Sequence, residues 1–368
     1  MKAFVIALLL IVGLRAQEVS TGEINGAKYM LASPEEWQGK LILIAHGYRA
    51  EDQPLKADYE IDKRFAQPLI EKGWAIASTS YRRNGWIIED AILDLKALRD
   101  HVSAGKGGVS RCILVGSSMG GLIGTLAAEG AIDNLSGVVA IGAYLGHRET
   151  GAYYETLSWK PKAPIIFLTN ETELDHPRHY REKAGMAANT ALWEVKRPGH
   201  CNVSATERYN AVVALDAWID GTAPEKDKDA TVGPPVRKST AVKKDAGLSG
   251  KITFVSAGFG NLSSDLVSAD LETLGVKVGD QVLVKSDAGE IVATVALYHS
   301  DVGEGHASVY VTPNGWLAIV INGGNAADAL KVKKEDSVTI SPAPKKEEKK
   351  EEEKKAPAPE AAEEKKPE

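Results

Sequence analysis

The chain has 368 residues, enough for two ordinary domains plus extensions, and its hydrophobic share of 43% is that of a globular protein. A net charge of −6 leaves no basic footprint, which excludes nucleic acid as an expected partner. The only two cysteines, Cys112 and Cys201, lack metal-ligand spacing, so no zinc site is expected; no cofactor is expected either.

Met1-Lys2 is followed by the apolar run Ala3 to Val12 and then by Leu14-Arg15-Ala16. A short basic start, a short apolar core and a small residue at position 16 read as a signal peptide over residues 1–16. The run is too short for a comfortable membrane span. The expectation is a secreted or periplasmic protein with no stable membrane anchor.

Residues 17–220 read as one α/β domain. Glu23 to Pro34 looks like a hairpin, and Lys40 to Ala45 is an apolar run of the kind found in strands buried on both faces. Tyr59 to Lys72 has helical spacing, Trp74 to Tyr81 reads as a strand, and Ile88 to Val102 is an amphipathic helix. Cys112 to Val115 is the next strand, and Leu122 to Ala128 the helix after it. Strands are expected over Gly137–Tyr144, Ala163–Thr169 and Leu192–Lys196, and helices over Arg178–Ala188 and Thr206–Ile219. Such alternation predicts parallel strands joined by right-handed crossovers. A disulfide is not expected, since the strand that Cys112 opens should hold it far from Cys201.

Between the Cys112 strand and its helix stands Gly116-Ser117-Ser118-Met119-Gly120, the G-x-S-x-G pattern. Strand, tight glycine turn and helix are the setting of a nucleophile elbow, with Ser118 pushed out at a helix N-terminus. A serine needs a base to act as nucleophile. His200, in Pro198-Gly199-His200, lies where sequence order puts one. An acid must orient the imidazole, and three crowd the loop after Ala163–Thr169: Glu171, Glu173 and Asp175.

With His46-Gly47-Tyr48, Gly116-Ser117-Ser118-Met119-Gly120 and Pro198-Gly199-His200 in that order, residues 23–220 resemble the α/β-hydrolase superfamily. The resemblance implies an α/β-hydrolase fold and a Ser118–His200–acid triad. Members often carry the acid four residues before a proline, a spacing that Glu173 and Pro177 have; Asp175 is the alternative. The backbone N–H groups of Tyr48 and Met119 are the expected oxyanion donors. A nucleophilic serine implies acyl transfer, most simply by a serine esterase on a small-molecule ester or an ester at a polymer end. A peptidase or amidase of the same fold is the alternative. Fewer than twenty residues separate Tyr144 from Ala163, which predicts an open cleft rather than a lidded tunnel. Arg82, in Tyr81-Arg82-Arg83-Asn84-Gly85-Trp86, and Tyr144 are the expected substrate contacts.

Residues 221–250, rich in Thr, Pro, Lys and Asp, read as a linker. From residue 251 to 341 the pattern becomes short valine-rich strands with frequent glycines: Ile252–Val255, Gln281–Lys285, Ile291–Tyr298, Ala307–Thr312 and Trp316–Ile321. A small β-barrel is expected. Phe259-Gly260-Asn261-Leu262, Lys277-Val278-Gly279-Asp280 and Asn314-Gly315-Trp316-Leu317 resemble the C-terminal domain of S-adenosylmethionine hydroxide adenosyltransferases. That resemblance implies a weak adenosyl-type ligand held by Phe259 and Asn261, and with it a second reading of the chain as a binding protein. The pattern departs where acids are expected, at Ala257 and Ala318, and where a Thr-Asn pair is expected, at Ser264-Asp265. Residues 342–368, composed of Lys, Glu, Pro and Ala, cannot bury a core and are expected to be disordered.

Overall fold

The structure is a computed structural model that describes residues 17–57, 64–185, 189–256 and 258–344. The expected signal peptide, the tail from residue 345, the start of the Tyr59–Lys72 helix and the end of the Arg178–Ala188 helix lie outside the described residues.

The first domain is a nine-stranded sheet. Its strands are β1 (Gln17–Ile24), β2 (Ala27–Pro34), β3 (Lys40–Ala45), β4 (Trp74–Thr79), β5 (Arg111–Ser117), β6 (Gly137–Ile141), β7 (Ile165–Asn170), β8 (Thr190–Val195) and β9 (Asp227–Asp229). They lie in the order β1-β2-β4-β3-β5-β6-β7-β8-β9. The β1–β2 hairpin is antiparallel and closes through Asn25-Gly26, whose φ values of 51° and 84° are the pair a type I′ turn requires. It joins β4 antiparallel, and every pairing from β4 to β9 is parallel.

Helices α1 (Ala66–Glu71), α2 (Ile88–Lys106), α3 (Met119–Leu126), α4 (Asp175–Ala184) and α5 (Ala205–Ile219) cover the sheet. Strand side chains alternate between its faces. Leu41, Leu43, Leu114 and Phe167 pack with α2, α3 and Tyr180 of α4, whereas Ile42, Ile113 and Ile166 pack with α1 and α5. Both faces are therefore buried, which explains why the strands read as continuous apolar runs. This is the α/β-hydrolase fold that the sequence predicts.

The stretch 221–250 is more than a linker. Asp227–Asp229 pairs with β8 as the outermost strand, and Arg181 forms an ion pair with Asp227. All three residues of β9 are exposed and charged, the composition of an edge strand protected against further pairing, which is why they read as linker.

The second domain comprises β10 (Val242–Lys244), β11 (Gly247–Val255), β12 (Leu262–Ser264), β13 (Gln281–Lys285), β14 (Glu290–Val295), β15 (Ala307–Val311), β16 (Leu317–Ile321) and β17 (Ser337–Pro342). Pairing runs β11-β12-β16-β15-β14-β13-β17, and β17 pairs back to β11, so seven strands close a barrel while β10 extends β11 outside it. Ile252, Leu262, Val282, Val284, Val309, Ile319 and Ile340 fill its core. Sequence periodicity missed β10, β12 and β17. The first two are only three residues long, too short for alternation to register.

Close backbone approach fixes the turn between β5 and α3. A Cβ on Gly116 would lie 2.0 Å from the Gly120 carbonyl oxygen, and one on Gly120 would lie 2.0 Å from the Ala45 carbonyl oxygen. Gly105, inside α2, faces open space. Gly120→Ala should therefore destabilise the protein by about 3 kcal/mol or prevent folding, while Gly105→Ala should add up to about 1 kcal/mol. Chemical denaturation of the two variants beside the parent measures both signs.

Candidate active site

Ser118 stands between β5 and α3 with φ 57° and ψ −118°, a backbone conformation that non-glycine residues rarely adopt. Holding it costs on the order of 1–3 kcal/mol. The surroundings enforce it: the Ser118 amide donates to the Ile141 carbonyl at 2.9 Å, and the Gly121 amide donates to the Ser118 carbonyl at 2.8 Å. The side chain is thereby presented to His200, whose Nε2 lies 2.8 Å from Ser118 Oγ. On its other edge, His200 Nδ1 hydrogen-bonds Glu173 Oε2. A neutral imidazole with its proton on Nδ1 satisfies both contacts, accepting from the serine hydroxyl and donating to the carboxylate. Glu173 Oε1 accepts from the Cys201 amide at 3.0 Å, so both carboxylate oxygens are held.

Of the three acids in the loop, Glu173 is the one brought to His200; Asp175 instead opens α4. Room for Glu173 comes from Gly142, with φ 48°. A Cβ there would meet Glu173 Oε1 at 2.6 Å and Cys201 Sγ at 2.7 Å.

The His200 loop is pinned from beneath by residues that sequence reading did not single out. Buried Asn170, the last residue of β7, donates through Nδ2 to the Arg197 and Asn202 carbonyls at 2.9 and 3.0 Å and accepts from the Asn202 amide at 2.7 Å. Thr172 Oγ1 accepts from the Gly199 amide at 3.0 Å. Arg197 pairs at 3.0 Å with Glu207, which is buried and which closes the capping box of α5 with Ser204. The Ser204-x-x-Glu207 spacing was the one sequence signal available for this network.

The barrel also reaches the loop. The Tyr298 hydroxyl lies 3.4 Å from both the amide and the carbonyl of His200. Gly199, with φ 118°, has no Cβ where the Tyr298 ring sits; one would meet ring carbons at 2.7–2.9 Å.

Gly47 presses against the serine from the other side: a Cβ on it would lie 3.2 Å from Ser118 Cβ. Tyr48 follows Gly47, and Met119 opens α3, where the first amides have no partner within the helix. Met119 thus directly follows Ser118, and Tyr48 follows the glycine packed on it. Tyr144 belongs to the same neighbourhood; its amide reaches the Ser118 carbonyl at 3.4 Å, and its ring packs on His176 and Trp86. His176 Nδ1 in turn accepts from the Leu145 amide at 2.8 Å.

Arg82 has a structural partner that the sequence reading did not name. Its guanidinium is engaged by Asp94, with Nη2 2.6 Å and Nε 3.0 Å from Oδ1, an ion pair that braces the β4–α2 connection while the side chain stays 34% exposed. Asp94 is buried within α2 and needs a cation there, and an arginine close in sequence supplies it. Phe259 is 65% exposed, and Asn261 uses its carbonyl to accept from the Ser256 amide. Both cysteines are free.

Comparison with known proteins adds the following. Residues 250–339 match the family model of the SAM hydroxide adenosyltransferase C-terminal domain. No curated protein matches the chain. Among solved structures, an uncharacterized conserved protein from Thermotoga maritima is 26% identical over 36% of this chain and 51% of its own, with a TM-score of 0.26. The chain thus spans about half the length of that protein. An esterase of Pyrococcus furiosus is 15% identical over 56% of this chain and 91% of its own, with a TM-score of 0.41. An acylaminoacyl peptidase of Pyrococcus horikoshii is 12% identical over 58% of this chain and 43% of its own, with a TM-score of 0.45.

The Cys201 side chain, 3.8 Å from Nε2, and the Glu173 carboxylate raise the pKa of His200 above its ordinary value, although burial pulls the other way. A histidine acting as base must be neutral, so raising its pKa moves the gain of activity to higher pH. The pH profile of kcat/KM should rise with pH along a limb centred above 6.5. In Glu173→Gln, which removes the negative charge, that limb should shift to lower pH while the maximum falls. Initial rates on a p-nitrophenyl ester from pH 5 to 10 read both effects.

Proposed function

We propose that the chain is an exported serine hydrolase, most simply a carboxylesterase, acting through an acyl-enzyme on an accessible small ester or the ester at a polymer end. The observation that carries this reading is the hydrogen-bonded series Ser118–His200–Glu173, set on a strained turn at the N-terminus of α3. In the first half-reaction Ser118 Oγ bonds to the carbonyl carbon and its proton passes to His200 Nε2. Glu173 steadies the imidazolium through Nδ1. The carbonyl oxygen becomes an anion facing the amides of Tyr48 and Met119, where preorganised donors favour developing charge. On collapse the C–O bond to the alcohol breaks, and His200 returns its proton to the leaving oxygen. Water then repeats the sequence on the acyl-enzyme, releasing the acid and restoring Ser118.

His200 is 53% exposed and Glu173 18%, so water has ready access for deacylation. The export reading rests on the Met1–Ala16 pattern. With the chain lacking residues 1–16, p-nitrophenyl acetate and butyrate should be hydrolysed, and Ser118→Ala should lower kcat by roughly 10⁴-fold or more. Equal rates in both proteins would remove Ser118 from the reaction.

A second reading concerns the barrel alone. The family match over residues 250–339 and the exposed Phe259 favour a weak adenosyl-type ligand there. Calorimetric titration of the intact protein with S-adenosylmethionine or adenosine should then give a heat that Phe259→Ala abolishes. No heat at millimolar ligand would discard this reading.

A further inference from the structure

A cavity of about 420 Å³ lies where the two domains meet. Gly47, Tyr48, Ala50 and Pro54 of the segment after β3, with the polar His46, Arg49, Gln53 and Lys56 between and beside them, form one wall, and Phe254 and Phe259 of the barrel form another. Both phenylalanines are largely uncovered, at 45% and 65% exposure, although the chain has only five. Exposed aromatic surface of this kind is costly in water and marks a place where apolar matter is received.

The cavity is held open from both sides. On the hydrolase side, the Gly85 amide donates to the Arg49 carbonyl at 2.9 Å, and Asn84 Nδ2 donates to the Gln53 carbonyl at 2.6 Å. On the barrel side, the Ser256 amide donates to the Asn261 carbonyl at 2.8 Å, and the Ala327 amide to the Gly260 carbonyl at 3.0 Å. Gly47, one of the lining residues, also packs on the serine: a Cβ on it would lie 3.2 Å from Ser118 Cβ.

Its position relative to the reacting groups decides which part of an ester it takes. His200 must protonate the leaving oxygen, so the alcohol portion departs on the His200 side. The cavity is lined by the oxyanion segment and by no residue of the His200 loop. It therefore faces the acyl substituent. We propose that this interdomain cavity is the acyl-binding site, and that the barrel, through Phe254 and Phe259, selects esters with an aryl or medium-chain alkyl acyl group over acetyl esters. The inference rests on the serine hydrolase reading above and adds to it a substrate class and a role for the second domain.

The test uses p-nitrophenyl alkylphosphonates, which trap the nucleophile without needing turnover. Ser118 Oγ bonds to phosphorus, its proton leaves through His200, and p-nitrophenolate departs, giving one covalent adduct readable by intact mass and peptide mapping. Methyl-, hexyl- and phenylphosphonate esters are compared on the full protein and on Phe254→Ala/Phe259→Ala, whose exposed side chains leave the fold intact. The expected result is labelling of Ser118 by all three, with hexyl and phenyl at least tenfold faster than methyl. The double variant should lose that preference, a tenfold change being what 1.4 kcal/mol of lost apolar contact gives. Labelling of Ser118 with no chain preference, or a preference unchanged in the double variant, overturns the acyl-site assignment and leaves the serine hydrolase reading standing. Absence of any adduct on Ser118 overturns both.

Discussion

Everything at the candidate site depends on one steric fact, the contact of the Gly120 α-carbon with the carbonyl of Ala45 at the end of β3. That contact leaves no space for a side chain, and the same holds where Gly116 meets the Gly120 carbonyl. With both positions emptied, α3 sits low enough against β3 and β5 for Ser118 to emerge between them at a left-handed φ. The strain is local, whereas its compensation is distributed over two fully packed sheet faces.

The parts of this arrangement that were legible in sequence are those whose physics is short-range. Gly116-x-Ser118-x-Gly120 encodes a turn within five residues, and Lys40–Ala45 encodes a buried strand by apolarity alone. Glu173 could be favoured over Asp175 but not separated from it by residue type, since either acid can pair with an imidazole. What separates them is that Asp175 begins α4, while Glu173 falls in the turn between β7 and α4, beside a glycine with φ 48° some thirty residues away. Asn170 was invisible for a similar reason. At the end of an apolar strand it reads as a turn residue, and only in three dimensions do its amide groups bridge Arg197 and Asn202. The partner of Arg82 was likewise hidden: Asp94 lies twelve residues on, buried, and the ion pair forms only once α2 is laid on the sheet.

The barrel shows a different limit. Its closure depends on β17 returning to β11 across most of the domain, a non-local pairing that no window of sequence displays. Gln281–Lys285 was nevertheless found with correct ends, because it alternates cleanly between core and solvent: Val282 and Val284 are buried, while Gln281 and Lys285 are exposed. β9 went unrecognised because it buries none of its side chains, and the contacts that hold it, the pairing with β8 and the Arg181–Asp227 ion pair, are non-local.

Gly199 is where the two domains constrain each other. Its φ of 118° is needed to turn the chain into His200, and the absence of a Cβ is needed again because the ring of Tyr298 occupies that space. The His200 loop is thus clamped between Asn170 and Thr172 beneath and a barrel tyrosine above, with the Tyr298 hydroxyl near both the amide and the carbonyl of His200. Of the series Ser118–His200–Glu173, the histidine is the member with most exposure, and an exposed loop is the part of a site with most freedom to lose. A second domain that rests on this loop narrows that freedom without entering the hydrogen-bond series itself. The same domain supplies Phe254 and Phe259 beside Gly47 and Tyr48, so the barrel borders the surroundings of Ser118 on the side of His200 and on the side of Gly47-Tyr48 alike. An accessory domain with two such contacts belongs to the architecture of the site, whatever ligand its own fold retains.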